Sequence, residues 1–96
     1  MNDLFLEVPT ARVSMADLRP ALDAALQQQF PGGMLRRRWE GEVLHLSGPG
    51  AEGTITFEAG KLVGRARLGP PASFMRPMIE QKVGDAMRRA AAQLDL

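Results

Sequence analysis

Apolar and polar positions alternate along the chain with three different spacings, and each change of spacing predicts a new element. A short apolar run over residues 3–8 is closed by Pro9, which predicts a strand. After Ser14, apolar residues recur every three or four positions, as on one face of a helix. The helix must end at Pro31, which two glycines follow. The residues of this apolar stripe are Leu18, Leu22, Ala25, Leu26 and Phe30.

The start of this first helix has two possible positions. Ser14 with Asp17 three residues later resembles a capping box, but Pro20 would then lie inside the helix and remove one hydrogen bond. Capping at Asp17 would instead place Pro20 in the first turn, where proline is tolerated. The sequence leaves both starts open.

Between Met34 and Leu68 the spacing is close to two, which predicts four strands with one buried face. Turn signals separate these strands. Tight hairpins at Gly41 and Gly60 favour positive φ, and Gly53 predicts a bulge or a close backbone approach. The positions expected to point inward are Leu35, Trp39, Leu44, Leu46, Ile55, Phe57, Leu62, Ala66 and Leu68.

The last segment returns to helical spacing, with Ser73 as a plausible cap and Pro77 in the first turn. Phe74 is assigned to the core. The methionines of this helix can fill core gaps or form an adaptable docking site, and we expect them in the core. The expected stripe is Met75, Ile79, Val83, Ala86, Ala90 and Leu94, with Met78 and Met87 as additional core methionines.

The predicted order is β-α-β-β-β-β-α in one domain over residues 1–96. Each helix has a single apolar stripe, and the sheet has one apolar face. A two-layer α+β sandwich buries all three surfaces, with an antiparallel sheet of about five strands and both helices on one side. The opposite face of the sheet should remain open.

Composition narrows the possible functions. The chain of 96 residues has a formal net charge of +1 and no cysteine, which excludes disulfides, thiolate catalysis and cysteine-based metal sites. Apolar runs do not approach the ~20 residues that a membrane-spanning helix needs. We therefore expect a cytoplasmic protein without a transmembrane segment, and we recognise neither a cofactor-binding motif nor a metal-ligand spacing.

Charge is distributed unevenly, because residues 31–68 hold six basic and four acidic residues, a net +2, while residues 1–30 hold two basic and four acidic ones, a net −2. If the inward set is correct, four arginines and the single histidine point to the open face. This candidate binding set is Arg36, Arg38, His45, Arg65 and Arg67. Glu52 and Glu58 should neutralise part of it. Such a face can bind an anion or can simply be solvated, and the sequence favours neither.

Catalysis has little support. A histidine base needs an orienting carboxylate and a nucleophile within reach, and His45 has only Ser47, Thr54 or Thr56 as neighbours on the predicted sheet. Serine and threonine are common on any strand surface. We therefore expect no catalytic residue.

Three stretches, taken in order, resemble one bacterial family: Trp39-Glu40-Gly41-Glu42-Val43-Leu44, Gly50-Ala51-Glu52-Gly53-Thr54-Ile55, and Leu68-Gly69-Pro70-Pro71-Ala72-Ser73-Phe74 leading into Met78-Ile79. The chain is similar over residues 3–94 to the polyhydroxyalkanoic acid system proteins, small proteins associated with gene regions for polyhydroxyalkanoate granules. The resemblance implies no defined molecular activity.

Our main hypothesis is therefore a non-enzymatic interaction module that binds an unknown protein or a polyhydroxyalkanoate granule component. One alternative is a small-ligand or enzymatic domain of helix-grip type, with a pocket between the helices and the sheet. Homodimerisation through the open face or an edge strand is another. Nucleic-acid binding is the minority hypothesis, because the only aromatic ring that could reach the open face is Phe5.

Overall fold

A computed structural model of the chain describes residues 2–11, 14–31 and 35–92, and confirms the predicted order of elements. The strands are β1 (Asn2–Pro9), β2 (Arg36–Glu40), β3 (Val43–Gly48), β4 (Ala51–Glu58) and β5 (Lys61–Leu68). The helices are α1 (Met15–Gln29) and α2 (Arg76–Ala92), and a short 3-10 turn, Ala72–Met75, leads into α2.

The five strands form one antiparallel sheet in the order β1-β5-β4-β3-β2. Strands β2 to β5 are a meander of hairpins. The first strand pairs with the last, so β1 and β2 are the two edges and the chain crosses from one edge to the other through α1. This is the predicted α+β arrangement.

The core lies between this sheet and the two helices. Leu44, Ile55 and Leu62 from the three central strands are at most 1% exposed and pack against the buried residues of both helices. The inward parity that the sequence indicates is therefore correct. The largest helical contributors, each at most 1% exposed, are Met15, Leu18, Leu22, Leu26 and Met87.

Helix α1 begins at the earlier of the two possible positions. The Ser14 hydroxyl caps it by accepting a hydrogen bond from the Asp17 backbone N–H at 3.4 Å. Pro20 consequently lies inside the helix and cannot donate to the carbonyl of Ala16. Burial of the leucine stripe outweighs the loss of that one bond, because fully burying a leucine contributes about 1.5–3 kcal/mol.

The start of α2 differs from the prediction in two respects. Ser73 does not cap the helix but lies within the 3-10 turn, where its backbone N–H bonds to the Gly69 carbonyl. Phe74, which we assigned to the core, is 80% exposed. A 3-10 turn has 3.0 residues per turn rather than 3.6, so the apolar stripe of α2 cannot be extrapolated backwards through it.

The methionines of this segment divide between core and surface: Met75 lies in the 3-10 turn, whereas Met78 lies in α2, one position before Ile79 and therefore about 100° away from it around the helix. Met87 is buried, as expected, but Met75 and Met78 are exposed, and their assignment to the core is wrong. Farther along α2, the stripe is as predicted, with Val83, Ala86 and Ala90 buried. Leu94 lies outside the described residues.

The predicted positive φ occurs at Gly41 and at Gly60, where two hairpins turn. Gly53 lies in an unbroken register rather than in a bulge, and its backbone approaches β5 closely. A Cβ at this position would lie 2.6 Å from the carbonyl oxygen of Arg65 and 2.9 Å from the Cβ of Ala66. This close approach is one of the two alternatives that the sequence left open for Gly53.

Candidate functional site

The strand register places the candidate residues on the face of the sheet that the helices leave open. Arg38 lies opposite His45, His45 opposite Thr54, and Thr54 opposite Arg65. Residues directly opposite each other on antiparallel strands point to the same side. Phe5 of β1, opposite Arg65, completes a row across all five strands.

A second row runs beside the first, toward the end of the sheet where β5 ends. It begins with Arg36 opposite Ser47, continues through Glu52, and reaches Arg67, which lies opposite Asp3. The two rows contain all five residues of the predicted set. The sequence therefore placed them correctly on one face, while their role in binding stays a prediction.

The two rows line an open trough of about 920 Å³. Its walls are two columns of arginine, Arg36 with Arg38 on β2 and Arg65 with Arg67 on β5. Three strand spacings of about 4.8 Å separate the columns by about 14 Å, and the arginines within each column are about 6.7 Å apart. The floor between them is polar and consists mainly of His45, Ser47, Glu52 and Thr54.

Among the residues that the structure describes, only one of the four arginines has an acidic partner. Arg65 pairs with Glu58 at 2.9 Å, and the same carboxylate oxygen accepts a hydrogen bond from the Thr56 hydroxyl at 2.7 Å. The hydrogen bonds from Arg65 and Thr56 lower the pKa of Glu58, and the bond to Glu58 raises the pKa of Arg65. Glu58 thus neutralises part of the basic face, as the sequence suggested.

The other three arginines are free to meet a ligand. Arg36, Arg38 and Arg67 are exposed, and they form no ion pair or hydrogen bond with any residue that the structure describes. Glu52 lies directly opposite Arg67 but does not pair with it, so the cross-strand ion pair expected from Glu52 does not form, although its carboxylate lies on the same face. Guanidinium groups without partners are suited to carboxylates and phosphates.

His45 interacts with a carboxylate and not with a nucleophile. Its Nε2 lies 3.2 Å from Glu40 Oε1, on the neighbouring strand. Within residues 2–11, 14–31 and 35–92, no hydroxyl is hydrogen-bonded to His45, although Thr54 lies opposite it. The imidazole and its carboxylate therefore lack the third member of a nucleophilic set.

Arg37, between the two arginines of β2, points to the other face and was missed as an interacting residue. Its guanidinium lies 3.4 Å from Asp23 of α1 and donates to Gln27 at 3.3 Å. The alternation of Leu35, Arg37 and Trp39 already places it on the helix side. No pattern in the sequence, however, indicates that Asp23 of α1 would lie next to Arg37.

A second cavity lies on the helix side, between α2 and the sheet, with a volume of about 50 Å³ and a mostly apolar lining that includes Leu46, Ile79 and Val83. Ligand sites generally need at least about 300 Å³. This cavity is therefore too small for the helix-grip alternative. The described residues also contain no cluster of three or more metal-ligating side chains.

In the described part of the chain, no helix combines the length and apolar character needed to cross a membrane.

Comparison with known proteins gave one result. The model of the family described as "putative polyhydroxyalkanoic acid system protein" matches residues 11–90. No curated protein and no solved structure gave a significant match. The matched region covers most of the chain, and the chain therefore belongs to this family of polyhydroxyalkanoic acid system proteins.

Proposed function

We propose that the protein is a non-enzymatic, cytoplasmic interaction module that binds an anionic partner in the trough of its open sheet face. One observation carries the proposal: the trough has an arginine column on each wall, and three of the four guanidinium groups have no partner among the described residues. Exposed arginines without an intramolecular partner can bind anionic groups of another molecule.

An acidic protein segment is the partner that the dimensions favour. An α-helix with its side chains is about 10–12 Å wide, and the backbones that carry the two arginine columns are about 14 Å apart, so a helix that lies along the trough can be reached from both columns. Acidic residues on its two flanks could meet Arg38 on one wall and Arg67 on the other. The family description supports a partner from the polyhydroxyalkanoate system, either a protein or a granule component.

A catalytic role has weaker support. His45, on the floor of the trough, pairs with Glu40 of the neighbouring strand β2. Among the described residues, no nucleophile is hydrogen-bonded to this pair. An exposed imidazole with a single carboxylate is ordinary on a strand surface. The trough is also open to water, which weakens the electrostatic effects that enzymes use.

Nucleic acid fits the trough less well. Single-strand recognition on a sheet uses aromatic rings as stacking platforms, and the described part of this face has only Phe5, at its rim and with the Arg65 guanidinium 5.5 Å from the ring centre.

The decisive experiment compares two variants with the same change in charge. Arg36→Glu with Arg38→Glu reverses one wall of the trough, and Arg88→Glu with Arg89→Glu reverses two exposed arginines of α2. Partners captured from the native cytoplasm are identified with the wild type, and their affinities for both variants are then measured. We also titrate a helical, glutamate-rich peptide of known concentration as a defined probe.

We expect the trough variant to bind partner and peptide at least tenfold more weakly, a change of about 1.4 kcal/mol. Higher salt should weaken the wild-type interaction, since its charges are exposed. The α2 variant should bind as the wild type does. Equal affinities for the wild type and the trough variant would remove the open face from consideration.

A further inference from the structure

Strand β1 lies at an edge of the sheet and has a neighbour on one side only. Among the residues that the structure describes, β1 pairs with β5 and with no other strand. The opposite edge, β2, is five residues long and carries three arginines and a glutamate, and a short charged edge resists the addition of a strand. β1 has eight residues, and its centre is the apolar run Leu4-Phe5-Leu6. Of the two edges, β1 is therefore the one suited to strand addition.

The hydrogen-bond pattern shows which backbone groups of β1 face outward. The Thr10 N–H donates to the Gly60 carbonyl at 3.1 Å, and this pair continues the register of β1 with β5. Bonded pairs alternate along an antiparallel ladder, so the even-numbered residues of β1 bond to β5. The odd-numbered residues direct their backbone groups away from the sheet, and they are Asp3, Phe5, Glu7 and Pro9.

Two of these outward positions cannot contribute a full set of hydrogen bonds to a new ladder. Pro9 has no backbone N–H. The carbonyl of Asp3 already accepts a hydrogen bond from the Arg76 guanidinium of α2 at 3.2 Å. An added strand loses the fewest hydrogen bonds if it needs neither the missing donor nor the occupied acceptor.

We propose that this added strand is β1 of a second copy of the chain, antiparallel and centred on Leu6. In that register Asp3 lies opposite Pro9 of the second copy, so the occupied carbonyl faces the residue that has no donor. The Asp3 N–H can still donate to the Pro9 carbonyl. Phe5 lies opposite Glu7, and their outward N–H and carbonyl groups bond to each other. The edge is therefore complementary to itself.

The side chains on the helix side fit the same register. Leu6 lies opposite Leu6 of the second copy, and Leu4 lies opposite Val8. Leu4 and Val8 are already buried by the helix layer, whereas Leu6 is half-buried in the single chain. Pairing the two copies removes more of the Leu6 surface from water, which favours association.

Centring the pair on Phe5 instead gives a poorer match. Asp3 would then lie opposite Glu7, and like charges directly opposite each other are destabilising. The Glu7 N–H would also face the Asp3 carbonyl that Arg76 occupies. The charges and the hydrogen bonds thus both favour the centre at Leu6. This proposal does not rest on the function of the trough.

Sedimentation equilibrium across the micromolar range tests the proposal with a matched pair of substitutions. Phe5→Pro removes an outward donor but no hydrogen bond to β5, whereas Phe5→Thr also removes the ring and keeps that donor. We expect the wild type and Phe5→Thr to form dimers of similar dissociation constant, and Phe5→Pro to dimerise at least tenfold more weakly. Circular dichroism checks that the variants are folded. A monomeric wild type, a Phe5→Pro variant that dimerises normally, or a Phe5→Thr variant as weak as Phe5→Pro would overturn the proposal.

Single cysteines test the register, because the chain has none of its own. In the proposed dimer the two Leu6 residues form a non-hydrogen-bonded pair, with Cα atoms about 4.5 Å apart and within reach of a disulfide. The two Phe5 residues are diagonal neighbours at about 7–8 Å, beyond that reach. Leu6→Cys should therefore cross-link under oxidation at least tenfold faster than Phe5→Cys. Equal rates, or faster cross-linking of Phe5→Cys, would contradict the pairing centred on Leu6.

Discussion

Trp39 donates its indole N–H to the carboxylate of Asp23, with both oxygens 3.1 Å away. The same carboxylate lies 3.4 Å from the Arg37 guanidinium, and the Arg19 guanidinium lies 4.6 Å from the centre of the Trp39 ring. Asp23 and Arg19 belong to α1, whereas the other two residues belong to β2. This cluster therefore fastens an edge strand, which has a neighbour on only one side, to the helix layer.

Replacing Asp23 with alanine should lower the free energy of unfolding by about 1–2 kcal/mol. The change removes hydrogen bonds to a charged acceptor and leaves the half-buried indole N–H and the Arg37 guanidinium without their partner. Partial exposure of the carboxylate keeps the effect below that of a fully buried pair. Urea denaturation, followed by the fluorescence of Trp39, measures the change directly.

Glu42→Ala is the control for this experiment. Glu42 is exposed in the turn between β2 and β3 and has no partner among the described residues, so its loss should change stability by less than about 0.5 kcal/mol. If the Asp23 and Glu42 variants unfold at the same urea concentration, the cluster does not anchor β2.

Substituting alanine for Gly53 should destabilise the protein by more than about 2 kcal/mol. The new methyl group would lie 2.6 Å from a backbone carbonyl oxygen of β5, and neither strand can move without breaking the ladder. Thermal denaturation provides the measurement. A variant as stable as the wild type would show that β4 and β5 can separate without loss of packing.

Gly84→Ala in α2 is the matched control for the Gly53 substitution. Its methyl group would approach the flexible guanidinium of Arg88 at 3.2 Å, and that side chain can move away. Alanine also favours the helix by about 1 kcal/mol over glycine. We therefore expect equal or higher stability, in contrast to the loss at Gly53.

The Glu58–Arg65 pair predicts a specific pH dependence. Because hydrogen bonds from Arg65 and Thr56 lower the pKa of Glu58 in the folded state, its contribution to stability is present above the unfolded-state pKa. That contribution is lost as the pH falls through the folded-state value. The stability difference between the wild type and Glu58→Gln should therefore shrink in acid.

An NMR titration of the Glu58 carboxyl group measures this pKa, which should lie below the usual value for glutamate. Arg65→Gln should return it toward that value. Arg67→Gln should leave it unchanged, since Arg67 lies on the same strand but does not contact Glu58. If both substitutions raise this pKa equally, long-range attraction to the positive charges of the face, rather than the ion pair with Arg65, controls this carboxyl group.

The sequence by itself determined the sheet and its open face. Successive side chains of a strand point to opposite faces. Because Trp39 and Leu68 point toward the helices, Arg36 on the strand of Trp39 and Arg67 on the strand of Leu68 must point to the open face. The sequence also placed the hairpin turns. Local chemistry was sufficient for these features, since they depend on neighbours within a few residues.

Only the tertiary structure decided which strands are neighbours and which charges meet. The pairing of β1 with β5 brought Phe5 beside Arg65, and the packing of α1 on β2 brought Asp23 to Trp39. The 3-10 turn rotated Phe74 into water, where helical spacing had placed it in the core. These outcomes depend on contacts between distant parts of the chain, which no periodicity records.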